Sequence, residues 1–207
     1  MLSVILTFIF YFIIFAALHS LLATDYIKKK AEKQLKHQFR FYRIFYNFIS
    51  FIIFAPVLLV WIMYTSSTPP VYSIPEWLYP FILLIRLAAI GLFSYAVYQT
   101  DVLDFAGIRQ ITGKSKNMLI TKGAYGIVRH PLYTGGIIIL FTKTNVTQLD
   151  LAAFVLVSLY LIIGALLEER RLISIFGEEY RKYQQDVSMF IPVRKAINIV
   201  KLSRGLV

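Results

Sequence analysis

The sequence predicts an all-α, polytopic membrane protein, and three observations carry that prediction. Of 207 residues 58% are hydrophobic, with 17 Phe and 14 Tyr, which is too apolar for an ordinary soluble domain and too aromatic for a disordered basic chain. The apolar residues fall in stretches long enough to cross roughly 30 Å of hydrocarbon. The charge, +11 in all, sits in alternate gaps between those stretches.

Taken in order, the first stretch is Leu2 to Ala23, broken by little beyond Ser3, Thr7, His19 and Ser20. No Lys or Arg precedes it, so it reads as a retained span rather than a cleaved signal. The second runs from Ile44 to Tyr64 and contains Pro56; the third, Trp77 to Tyr98, carries one charge, Arg86, which snorkels or pairs. The fourth, Leu132 to Phe141, is half the usual length before Thr142-Lys143-Thr144-Asn145, and reads as a short or tilted helix turning back into the fifth, Leu149 to Leu167. The prediction is therefore about five transmembrane helices, the last two a hairpin. Glu168 to Val187 extends the fifth helix out of the membrane, with Glu169, Ile173, Phe176, Tyr180, Tyr183 and Val187 on one face and a kink at Gly177. The segment Thr65 to Pro70 is a plain turn region.

The loops after the first and third stretches, with everything after the fifth, hold 20 of the 22 Lys and Arg. By the positive-inside rule these face the cytoplasm and the N-terminus lies outside; a bacterial inner membrane is the expected location. The organisation reads as an N-terminal three-helix membrane region over 1–98, a core over 99–192, and a basic amphipathic tail over 193–207 that can lie on anionic lipid. This topology accounts for the basic charge without nucleic acid.

Chemistry concentrates beside the membrane. Pro131 suits the first turn of a helix, so the fourth helix begins there with Arg129 and His130 at its start. That pair either anchors the helix at headgroups or binds a carboxylate or phosphate. Glu168 and Glu169 end the fifth span; they are either a solvated face or, because a short hairpin puts both helix ends at one depth, part of a site where Arg129, His130 and Glu169 converge on one ligand. Asp101 to Gln110 is a structured loop or a source of polar contacts, and His19 with Ser20 ends the first span. Three histidines at 19, 37 and 130, with no cysteine, do not make a metal-ligand set. Neither a phosphate-binding glycine loop nor a Gly-x-Ser-x-Gly elbow occurs.

The pattern Gly123-x-Tyr125-x-x-Val128-Arg129-His130-Pro131-x-Tyr133-x-Gly135, followed by Glu168-Glu169-x-x-Leu172-x-x-x-Phe176-Gly177-x-x-Tyr180-x-x-Tyr183, resembles the isoprenylcysteine carboxyl methyltransferase superfamily and its phospholipid methyltransferase relatives over residues 100–192. His19-Ser20, Arg43-x-x-Tyr46-Asn47 and Asp104-Phe105-x-Gly107-x-Arg109-Gln110 are similar to the NnrU and methanethiol S-methyltransferase branch. The resemblance implies an integral membrane enzyme with S-adenosylmethionine as cofactor and a small-molecule or lipid-like acceptor, a thiol or carboxylate. It further implies that His130, Pro131, Leu132 and Tyr133, with Gly123, Tyr125 and Val128, line the cofactor and that Glu169 contacts it. Arg129 and Glu168 are then the catalytic pair beside the acceptor. Two alternatives stand: an NADPH-dependent, sterol-reductase-like enzyme, and a non-enzymatic NnrU-like membrane factor.

Overall fold

The computed structural model describes residues 2–113 and 118–194. Its helices are α1 (Leu2–Ala23), α2 (Asp25–Leu35), α3 (Tyr42–Tyr64), α4 (Tyr79–Gln99), α5 (Val102–Ala106), α6 (Ile108–Ile111), α7 (Pro131–Phe141), α8 (Gln148–Phe176) and α9 (Glu178–Asp186). Two short strands, β1 (Pro70–Ser73) and β2 (Asn145–Thr147), complete it. Four helical stretches, Leu2–Ala23, Asp25–Ser67, Glu76–Gln99 and Gln148–Phe176, are long and apolar enough to cross a membrane; Pro131–Phe141 is apolar but shorter. The protein is thus an all-α integral membrane protein. The expected tail beyond Arg194, with Lys114 and Lys116, lies outside the described residues.

The chain forms two compact units. The first comprises Met1–Ile74, Asp101–Lys116 and Asn145–Leu156. Within it α1 packs on α3 through Phe8, Phe12 and Val57, all buried, and the rings of Phe15 and Phe54 lie 4.9 Å apart. At one end of α3 the polar residues Arg43, Tyr46, Asn47 and Ser50 follow helical spacing and share a face. His19 bonds Ser50 Oγ at 2.9 Å and Tyr46 Oη at 2.6 Å, while Arg43 pairs with Asp104 at 3.1 Å. At the other end Asp150 is fully buried and accepts from Trp61 Nε1, Thr65 Oγ1 and the Thr147 amide, each at 2.9 Å. A carboxylate there also suits the first turn of α8.

Two expectations about this unit need refining. The residues between α3 and α4 are not a plain turn, because β1 pairs antiparallel with β2. The loop 101–113 is largely helical, folded as α5 and α6 about Gly107. Gly107 has φ +93°, and a Cβ there would stand 2.8 Å from the Ile44 amide nitrogen, so the turn requires glycine.

The second unit comprises Pro75–Thr100, Asn117–Thr144 and Val157–Val207. Here α4 and α7 lie close because Gly135 lets the backbones approach; a Cβ on it would meet Ala89 O and Phe93 Cβ at 3.0 Å. Arg86 acquires a definite partner: Nε donates to Thr142 Oγ1 at 3.2 Å and Nη2 to the Thr142 carbonyl. α7 ends in apolar surroundings, and the guanidinium satisfies a carbonyl that the helix leaves unpaired. The expected single extension over Glu168 to Val187 is broken more sharply than a kink. Gly177 takes φ +56°, ψ −126°, ending α8 at Phe176 and starting α9 one residue later.

Candidate functional site

The site is built in the second unit, from the 3₁₀ turn Gly123–Gly126 upward. Gly123 has φ +66°, and any Cβ would collide with Gln99, whose Oε1 accepts the Ala124 amide at 2.7 Å. Tyr125 Oη lies 3.0 Å from Thr100 Oγ1, and its carbonyl accepts the Tyr183 hydroxyl at 2.6 Å. Burial pushes the Tyr125 phenol above its ordinary range. Val128 and Pro131 are buried, so the chain enters α7 already anchored. Leu132 follows, half-buried.

Arg129 and His130 meet the segment after α9 through their backbones. The Arg129 amide donates to the Ser188 carbonyl at 2.9 Å and the His130 amide to Met189 at 3.2 Å. Thr134 Oγ1 adds a bond to the Phe190 carbonyl at 3.2 Å. The two backbone amides just ahead of α7 are therefore occupied by the protein itself.

The side chains converge on Glu169. Arg129 Nε reaches its Oε1 at 2.7 Å, and His130 Nε2 the same oxygen at 3.1 Å. Gln184 Nε2, from α9, donates to Oε2 at 2.7 Å. Arg129 and Glu169 side chains are each 9% exposed, a buried ion pair. Arg129 Nη1 donates in addition to the carbonyls of Gln184 (3.2 Å) and Val187. One guanidinium therefore ties α8, α9 and the following turn together.

Glu168 is different. Its side chain is 47% exposed, it accepts from Tyr133 Oη at 3.0 Å, and its Oε2 lies 3.7 Å from His130 Nδ1. His130 thus stands between two carboxylates, with its ring stacked on Tyr133 at 5.4 Å between centroids and tilted against Phe190 at 5.7 Å. The arrangement combines one rigid, neutralised ion pair with one accessible carboxylate against aromatic walls.

Of the residues singled out from the sequence, Gly123, Tyr125, Val128, Arg129, His130, Pro131, Leu132, Tyr133, Glu168 and Glu169 all belong to this unit, and their partners are in it. His19 and the Asp101 to Gln110 segment find their partners in the first unit instead. Asp104 is bound by Arg43 and Gln110, and Asn47 donates to the carbonyls of Phe105 and Ala106. Arg109 pairs with Asp101, which holds the Asp101 carboxyl below its usual range. Sequence reasoning missed Gln184. The signal was its position four residues after Tyr180 and one after Tyr183, on the same helical side as the buried tyrosines.

Fold and site together define an all-α membrane protein whose buried Arg129–His130–Glu169 cluster joins two of its helices to a C-terminal helix. The chain belongs to the NnrU family: the family described as NnrU protein matches residues 7–191. It is similar to methanethiol S-methyltransferase 1 of Bradyrhizobium diazoefficiens, 36% identical over 104 residues, 45% of this chain and 35% of that protein. It is also similar to the methanethiol S-methyltransferase of a Pseudomonas species, 28% identical over 143 residues, 66% of this chain and 55% of the relative. A protein-S-isoprenylcysteine O-methyltransferase of Schizosaccharomyces pombe is 30% identical over 127 residues, 49% of this chain and 52% of that one. The chain spans between about a third and just over half of these curated relatives. No solved structure matches it.

Proposed function

We propose that this protein is an integral membrane methyltransferase that takes its methyl group from S-adenosylmethionine and passes it to a small or lipophilic acceptor, a thiol or a carboxylate. The observation that carries the reading is the pairing, in one unit, of a buried, ion-paired Glu169 with an accessible Glu168 across the His130 ring. The named activities of the relatives support it.

The residues fit such a cofactor. S-adenosylmethionine would supply an activated methyl on a sulfonium. A carboxylate offers about four acceptor positions, and Glu169 has filled three, leaving one on Oε2 for an ammonium. Tyr133 and His130 present stacked faces that favour a cation. Arg129 is buried and donates to Glu169 and two carbonyls, so in this reading it positions Glu169 and the C-terminal segment, while Glu168 and Tyr133 stand nearest the acceptor. Methyl transfer is a direct displacement that needs alignment more than acid or base groups, and a rigid cluster at a membrane edge supplies alignment and excludes water. The site faces the cytoplasm, as the basic loops require, in a bacterial inner membrane.

Calorimetric titration of the purified protein with S-adenosylmethionine and its demethylated product tests the reading. Saturable binding that Glu169→Gln weakens at least tenfold is expected, with no heat from NADPH. A folded protein that binds neither methyl-donor form overturns it.

A further inference from the structure

The cluster above leaves unused the second helix, which the sequence presents only as part of a basic loop. α2 is eleven residues long, and none of them is buried. It does not continue α1: Thr24 lies between them in an extended conformation (φ −65°, ψ 146°), and its hydroxyl caps the new helix by accepting the Ile27 amide. A single residue therefore redirects the chain at the end of a membrane span, so α2 begins at the bilayer boundary.

Its two sides differ. Tyr26, Lys29, Lys30 and Lys33 stand at i, i+3, i+4 and i+7, one face of the helix, and all are exposed. Ile27 and Ala31, on the other side, are half-buried. Tyr26 is 74% exposed, and the apolar side chains that follow, Leu35 and Phe41, are 41% and 42% exposed. Arg40 lies over the Phe41 ring, 4.9 Å from its centroid. An aromatic ring among lysines, at the mouth of a span, fits an interface that is wet on one side and oily on the other.

We propose that the Tyr26–Lys29–Lys30–Lys33 face of α2 docks on the protein's own bilayer and binds anionic phospholipid headgroups. Charge complementarity selects that occupant. Three ammonium groups on one helical face, attached to a span through one residue, are held within headgroup reach by the chain itself. A soluble polyanion would have to be recruited from solution. Each lysine near an anionic surface changes partition by about fivefold.

The chain contains no cysteine, so single nitroxide labels can be placed on the full protein without removing native thiols. Labels at Lys30→Cys on the proposed face and Glu32→Cys off it would be compared in bilayer discs of phosphatidylcholine alone and of phosphatidylcholine with phosphatidylglycerol. The expected result is that anionic lipid shields position 30 several-fold from a water-soluble nickel chelate and leaves position 32 unchanged. Adding Lys29→Gln and Lys33→Gln should raise the phosphatidylglycerol fraction needed for half-maximal shielding. Helix content, read by circular dichroism, separates docking from unfolding. Equal exposure of position 30 in both lipids overturns the proposal. So does shielding by added polyglutamate or oligonucleotide that anionic lipid does not produce, since either would mark a soluble partner.

Discussion

Arg129 donates to Glu169 from Nε and to the carbonyls of Gln184 and Val187 from Nη1, so its removal strands a buried carboxylate and two acceptors at once. Breaking one partner of a buried pair costs about 3–5 kcal/mol, and Arg129→Met is expected to fall in that range by denaturant melting in detergent. Arg129→Lys should recover only part of it, because an ammonium lacks the planar fork that reaches a carboxylate and two carbonyls together. Gln184→Leu tests the residue that sequence reasoning missed. It removes one bond to a charged oxygen, a loss of about 1–3 kcal/mol, and frees Glu169 Oε2. If Gln184 positions Glu169 for the methyl donor, affinity should fall beyond what stability explains, and Gln184→Glu should fail to restore it because two carboxylates would then face each other. Unchanged donor affinity would leave Gln184 a purely structural tie. The convergence of Arg129, His130 and Glu169 was legible because charged residues at the edges of apolar stretches must find one another. Gln184 was not: an uncharged amide in a polar helix looks like any solvated residue until the carboxylate it serves is known.

α7 and α9 show how an element's shortcomings are met by its neighbours. α7 has eleven residues and ends at the buried Thr142, whose hydroxyl and carbonyl both accept from Arg86 of α4. Arg86→Met is expected to destabilise by about 1–3 kcal/mol, the cost of an unsatisfied buried acceptor, with Arg86→Gln intermediate. The short length of α7 was visible in the sequence, and so was a lone arginine inside the third span; their connection depends on which helices pack, and the sequence alone does not state that. α9 is held by its tyrosines. Tyr180 and Tyr183 are buried, and burial pushes both phenols above the ordinary tyrosine range. A raised folded value means the stabilisation is complete below the unfolded pKa of about 10 and is lost as pH climbs through and beyond it. Melting temperature followed between neutral and strongly alkaline pH should therefore hold flat and then drop. Tyr183→Phe, which cannot ionise but also loses its bond to the Tyr125 carbonyl, should start lower and drop less. The break at Gly177 was anticipated as a kink; its left-handed φ, which glycine alone adopts readily, makes it a full helix boundary.

For the molecule as a whole, topology turns on the passage between His130 and Gln148. Eleven helical residues at 1.5 Å each rise only about 16 Å, half of a roughly 30 Å core. Asn145–Thr147, extended at about 3.3 Å each, adds roughly 10 Å, so the expected crossing is made by less than a full-length helix. Local pairings agree. β2 sits beside β1, which belongs to the connection between α3 and α4, while the start of α7 bonds Glu168 and Glu169 near the other end of α8. A crossing by α7 would add the expected fifth passage to the four long apolar stretches, and the charge pattern predicts the basic loops on one side. Single cysteines at Ser66, Thr144, Gln34 and Glu179 in the cysteine-free chain resolve this in intact cells with a membrane-impermeant maleimide. Ser66→Cys and Thr144→Cys are expected to react from outside, whereas Gln34→Cys and Glu179→Cys react only after the membrane is opened. Protection of position 144 together with reaction of Glu179→Cys from outside would mean that α8 begins on the cytoplasmic side and the Glu169 cluster faces outward, away from any cytoplasmic supply of methyl donor.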